Sequence, residues 1–296
     1  MLRRAGKYTG VFRITLMNNL AYIQDVALNS IFMLVVIFVF VALWKTTYSV
    51  TGEQSLGGFT LQQTIWYLVM TETITMSSPR ITTRIDAEVK GGDLAYSLNR
   101  PYSYVGFQYA SFMGEAAVRF FINLAVGGLV AGLSVGFPAG GALEAAQATA
   151  SRVTGATGAV GVAGVAGTAH LLAVVSASAL TILMAMALYF TSMMALGLLA
   201  FWVEDATALF LVYERSMWIL GGLLLPLSLF PAAIRRVAEV LPFRFIINGP
   251  AQLAVKYAAG DFWRVLAGQA TWLAVTVVVL ALVYRAGVKR VNINGG

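Results

Sequence analysis

The sequence contains no cysteine, one histidine (His170) and 7 prolines among 296 residues. Without cysteine there is no disulfide framework, no thiolate metal site and no cysteine nucleophile. A histidine-based metal centre needs three or four ligands, so His170 alone reads as an interfacial side chain. Charge is scarce as well, at 11% of residues against about 25% in soluble domains. The sequence has no G-x-x-x-x-G-K-[ST] to cradle nucleotide phosphates, and no H-E-x-x-H. Paired aspartates of the intramembrane-protease kind are missing from neighbouring apolar runs. What is abundant is apolar: 59% of residues are hydrophobic and the mean hydropathy is +0.78. A soluble domain, a disordered chain and a fibrous fold are thereby excluded. The composition describes an all-α, polytopic membrane protein with no catalytic set of its own, and so not an enzyme.

A bilayer-crossing helix needs about 20 mostly apolar residues. Six stretches qualify, at 26–44, 61–79, 120–137, 171–201, 216–230 and 265–284. The second carries Glu72, and the fourth is long enough to tilt, break or project beyond the bilayer. Twenty Lys and Arg against 13 Asp and Glu give a net charge of +7, which on such a protein marks cytoplasmic loops. With both ends inside, twelve of the 20 basic residues fall on the cytoplasmic side, seven fall outside, and Arg119 lies in the third span. The outside group includes Arg235, Arg236, Arg244, Lys256 and Arg264, all between the last two spans. Arg3-Arg4 resembles a twin-arginine start, but the first apolar run begins too far downstream for a cleavable signal peptide. Residues 7–25 instead predict an amphipathic interfacial helix, with Tyr8, Phe12, Leu16, Leu20 and Ile23 on one face and Lys7, Asn18 and Asp25 opposite. A loosely ordered basic tail is the other reading.

Between the third and fourth spans, residues 138–170 are rich in Gly and Ala. Gly155, Gly158, Gly161, Gly164 and Gly167 recur every third residue, yet no proline accompanies them as collagen requires. A low-complexity external loop is expected; close helix packing through small residues is the alternative. No repeat relates the two halves of the chain, which argues against an inverted-repeat transporter.

Charges inside spans are functional candidates because lipid disfavours them. Glu72 sits where it would face a substrate path and favour cationic cargo, or pair structurally with Arg119. Glu115 and Arg119 are spaced i,i+4 and would neutralise each other. In the loop 80–104, Ile81, Ile85 and Val89 recur every four residues, with Arg84–Glu88 and Asp86–Lys90 on other faces. That is a short amphipathic helix stopped by Gly91-Gly92. Periodicity alone leaves two readings: docking of a soluble partner, or packing on the membrane or on the chain's own spans. Residues 231–263 carry Pro231, Pro242 and Pro250, which divide the segment into short interfacial or re-entrant helices. Such backbone is tolerated at depth only when protein shields it.

Those two segments carry a family resemblance. Ile85-Asp86-Ala87-Glu88-Val89-Lys90-Gly91-Gly92-Asp93-Leu94, then Leu98-Asn99-Arg100-Pro101, resembles the loop after the second span of ABC type-2 permeases. Phe230-Pro231, Leu241-Pro242-Phe243 and Pro250 resemble that family's segment before the last span, and the likeness covers nearly the whole chain, 1–296, as one permease domain. It is closest to the branch in which two related permeases pair over an ATPase dimer; the Gly/Ala insert departs from the usual compact connection. The resemblance implies an ATP-driven exporter subunit for a drug, lipid or hydrophobic peptide, in the bacterial cytoplasmic membrane. ATP and magnesium would be bound by the partner ATPase and no cofactor by this chain; a second permease, related or identical, would complete the pathway, and no nucleic acid is involved. The implied coupling surface comprises Thr83, Ile85, Asp86, Glu88, Val89, Lys90, Gly91, Asp93, Arg100 and Pro101. Glu72, Glu115, Arg119, Phe230, Pro231, Pro242 and Phe243 are the implied pathway and gate residues. An ion-coupled secondary transporter or channel is the alternative, with Glu72 and the Glu115–Arg119 pair as its candidate ion sites.

Overall fold

A computed structural model describes residues 2–98, 100–137, 159–203 and 206–294. Its regular structure is helical, with one isolated bridge between Leu56 and Phe59. Helix α1 spans Leu2–Ala21 and α2 spans Ile23–Thr51. Helix α3, Leu61–Met76, starts at a capping box: Thr60 Oγ1 accepts from the Gln63 amide while the Gln63 side chain accepts from the Thr60 amide. Helices α4, Ile81–Lys90, and α5, Asp93–Leu98, form the following loop. Helix α6, Tyr104–Val135, is capped by Ser103, whose hydroxyl accepts from the Gly106 amide at 3.3 Å. Then come α7, Ala159–Leu198, extended by a 3-10 turn to Phe201, and α8, Thr207–Leu220. Short helices α9, Ala232–Val240, α10, Pro242–Ile246, and α11, Asn248–Val255, precede the long α12, Ala259–Asn294.

Among the described residues, four helical stretches are long and apolar enough to cross a membrane: Ser30–Thr51, Tyr104–Val135, Ala169–Phe201 and Ala259–Lys289. They turn apolar side chains outward, as Phe38 on α2, Leu172 on α7 and Val278 on α12 illustrate. The expected second and fifth spans are shorter. Helix α3 has 16 residues and α8 has 14, about 24 Å and 21 Å at 1.5 Å per residue. The fifth is also displaced from 216–230, because the helix ends at Leu220 and the chain turns at Gly221-Gly222. Gly222 has φ +74°, a conformation that a side chain disfavours. The turn exposes two carbonyls to the interior, and α3 satisfies both: Tyr67 Oη donates to Gly222 O at 2.6 Å and Thr71 Oγ1 donates to Leu223 O at 2.8 Å. Asn248 of α11 donates in turn to Tyr67 Oη at 3.0 Å, so three elements share one buried network.

Two further expectations are corrected. The N-terminal helix runs from Leu2, and Tyr8, Phe12 and Leu16 are half-buried against α6 rather than left for lipid; Leu20 and Ile23 are exposed. Gly114 of α6 makes the approach possible: a Cβ there would lie 2.7 Å from the Phe12 carbonyl oxygen. The Tyr8 hydroxyl accepts from the Ser103 amide at 3.0 Å, and Thr15 meets Ser111 at 3.5 Å, so α1 runs alongside the first turns of α6. The Gly/Ala-rich segment is no loop from residue 159 onward, since Gly161, Gly164 and Gly167 lie within α7. No proline interrupts that run, and its alanines offset the helical cost of glycine. Residues 138–158 and Asn99 lie outside the described residues.

The segment before α12 is folded, as its prolines predict. Pro242, Phe243, Ile246, Asn248, Gly249, Pro250, Ala251 and Leu253 are buried. Gln269 of α12 fixes it by donating to Phe245 O at 3.0 Å and to Thr181 O of α7 at 2.8 Å. Helix α9 behaves differently: Ile234, Val237 and Val240 form an exposed apolar stripe opposite Arg235, Arg236 and Glu239. That is the pattern of a helix lying at a membrane interface.

Candidate functional site

Helix α4 divides its residues between two tasks. Ile81, Thr82 and Ile85 are buried, and Ile85 packs against Gly197 near the end of α7. Thr82 Oγ1 donates to Met193 O at 3.3 Å. The apolar face is therefore spent on the chain's own span, as one of the two periodicity readings has it. Glu88 faces inward too: Tyr104 Oη donates to it at 2.5 Å and Gln108 Nε2 at 3.1 Å, tying α4 to the start of α6. Asp86 accepts from Lys90 at 2.7 Å, one helical turn away. Thr83, Ala87, Lys90, Gly91 and Asp93 are left exposed, joined by Arg100 and Pro101 beyond α5. Of the ten residues expected on a coupling surface, Ile85 is fully buried, while Glu88 and Val89 are half-buried and serve internal packing.

Beside α4 lies a cavity of about 1330 Å³ between α2, α3, α6 and α8. Glu72, Glu115, Arg119 and Phe230, expected on a pathway from scattered positions, all line it. Pro231, Pro242 and Phe243 do not: Pro231 is exposed ahead of α9, and Phe243 is buried edge-on to Tyr213 with ring centroids 5.1 Å apart. Charged side chains line it through Arg80, Arg84, Glu115, Arg119, Glu214 and Arg215, besides Glu72. Apolar side chains line it through Val36 and Phe40 of α2, Leu224, Leu225 and Phe230.

Glu115 is the hub of the charged lining residues. It accepts from Arg119 at 2.5 Å, as the i,i+4 spacing predicts, and from Arg84 of α4 at 3.1 Å. The second bond joins residues 31 apart in sequence, so no periodicity could reveal it. Arg215 lies over the Trp218 ring at 4.1 Å, and the charges of Arg215 and Arg80 act on Glu214. Glu72 is different. It is 4% exposed, lines the cavity, and among the described residues no side chain or backbone group bonds its carboxylate. Arg119, its expected partner, is engaged by Glu115. Glu214 and Arg215 were visible in the sequence as charges flanking an apolar run, but their place at its edge makes them read as loop residues.

Among the described residues no group of three or more His, Asp and Glu is arranged to hold a metal ion. His170 packs edge-on to Tyr257, with ring centroids 5.9 Å apart.

Residues 151–295 match the family model described as ABC-2 family transporter protein. The match supports an ABC-2 type permease. It covers α7 through α12, including the broken turn after α8 and the buried segment before α12. No curated protein matches the chain. An ABC-2 permease is a multi-pass membrane subunit for transport, and permeases of this family generally work with ATPase partners.

Proposed function

We propose that this permease is the transmembrane subunit of an ATP-driven exporter that moves a hydrophobic or amphipathic substrate out of the cytoplasm. The observation that carries the reading is the double role of α4. Its exposed Ala87 and Lys90 are free to dock a partner, while Thr83 and Arg84 on the same helix line the cavity and Arg84 is bonded to Glu115. Movement of α4 by a docked ATPase would pull on the cavity wall through that bond. ATP and magnesium belong to the ATPase, two of which would sit beneath a pair of permeases. In this reading α3 and α8 complete six crossings as short spans, with both termini cytoplasmic and the bacterial cytoplasmic membrane as the site of action. The cavity is the pathway, with Glu72, Glu115, Arg119 and Phe230 on its wall. A substrate favouring one state of the cavity must then shift ATPase affinity or turnover through the same element.

The competing reading, an ion-coupled secondary transporter, draws on the unpartnered Glu72. Efflux from cells separates the two. The exporter reading expects loss of efflux when ATP is depleted and persistence when ionophores collapse the ion gradients; the reverse pattern overturns it.

A further inference from the structure

We propose that the cavity selects amphipathic cations, with Glu72 as the residue that reads the charge. The inference rests on the cavity being the substrate pathway and adds the class of substrate. Seven charged side chains line the cavity, four of them arginines, so their sum alone would point to an anion. Pairing and burial, not the sum, single out one group. Glu115 holds both Arg84 and Arg119, and Arg215 lies over the Trp218 ring. Of the seven, Glu72 alone is buried without an ionic or hydrogen-bonding partner among the described residues. A cationic headgroup supplies what the site lacks, because a buried charge is tolerated when paired.

The apolar part of the wall fits the rest of such a molecule. Phe40 of α2 and Phe230 present aromatic rings beside Val36, Leu224 and Leu225. Aromatic faces attract cations through their quadrupoles, most strongly where water is excluded. The same rings accept the hydrocarbon or aryl body of an amphipath. A volume of about 1330 Å³ exceeds the roughly 300–1,000 Å³ of a drug-sized pocket, leaving room for bulky cargo.

The test uses two probes of nearly identical shape and opposite charge, tetraphenylphosphonium and tetraphenylborate. Their saturable binding is measured by equilibrium dialysis on the chain purified in its native assembly. The phosphonium binds about tenfold tighter than the borate, as one desolvated cation–π contact and one ion pair require. Glu72→Gln removes the difference, and Glu72→Asp, which keeps the charge, retains it. Equal affinity for the two ions, a preference surviving in Glu72→Gln, or no saturable binding of either ion overturns the proposal. Failure of the exporter reading shows separately, as efflux indifferent to ATP depletion beside an intact phosphonium preference.

Discussion

At the scale of single residues, Glu115 is the side chain on which most depends. One carboxylate, 9% exposed, accepts from two arginines on two helices. Replacing it by glutamine leaves both guanidinium groups without a counter-charge at the cavity wall. The arginine side chains are 41% and 32% exposed, so water offsets part of the loss and the cost is about 1–3 kcal/mol. Thermal unfolding of Glu115→Gln in detergent is expected to show a lowered midpoint, with a smaller drop for Arg84→Gln, which removes one bond and leaves no orphaned carboxylate. An unchanged midpoint in Glu115→Gln would mean the pairs carry no stability. The i,i+4 half of this arrangement was legible from spacing; the Arg84 half was not, because it depends on how α4 folds back against α6. Glu88 shows the same limit. Its charge and place on an amphipathic helix suit a docking surface, yet Tyr104 and Gln108 occupy both its oxygens.

Among the elements, the long apolar helices were the most legible part of the fold, since α2, α6, α7 and α12 each contain an unbroken hydrophobic run. Their ends were not, because charged and aromatic residues extend the helices past the apolar core: α6 begins at Tyr104, well before the run that marks it in sequence. The break after α8 was hidden for a different reason. Gly221-Gly222 sits inside an apolar stretch that reads as continuous, and the hydroxyls that stabilise its turn come from Tyr67 and Thr71, some 150 residues earlier. Helix α1 was legible as amphipathic but not as docked, because its groove is cut by Gly114 in another helix. The absence of native cysteine makes that docking directly testable. Thr15 and Ser111 bring their hydroxyl oxygens to 3.5 Å, so sulfurs in their place need only a small side-chain adjustment to reach the S–S bond length of about 2.0 Å. A Thr15→Cys, Ser111→Cys double variant is expected to form an intramolecular disulfide under mild oxidation. Adding Gly114→Leu, which places a side chain where the Phe12 backbone lies, is expected to abolish the cross-link. A cross-link that forms equally well with leucine present would contradict this packing.

For the whole molecule, the chain has a large cavity lined by both charged and apolar side chains, and no P-loop motif. The surface through which an ATPase would act is narrower than sequence alone implies, since α4 spends its apolar face on α7 and its glutamate on α6. What remains exposed includes Ala87, flanked on α4 by Thr83 and Lys90, with Gly91 and Asp93 beyond its end. Glutamate is a good helix former, so Ala87→Glu adds bulk and charge there without disturbing the helix. The decisive measurement is the amount of P-loop ATPase retained when the affinity-tagged chain is purified from native membranes, wild type beside Ala87→Glu. Retention of an ATPase by the wild type, and loss of most of it by a variant that still inserts and folds, is the predicted result. A wild-type chain that repeatedly comes away without any ATPase, or a variant that keeps as much as the wild type, would contradict coupling through α4.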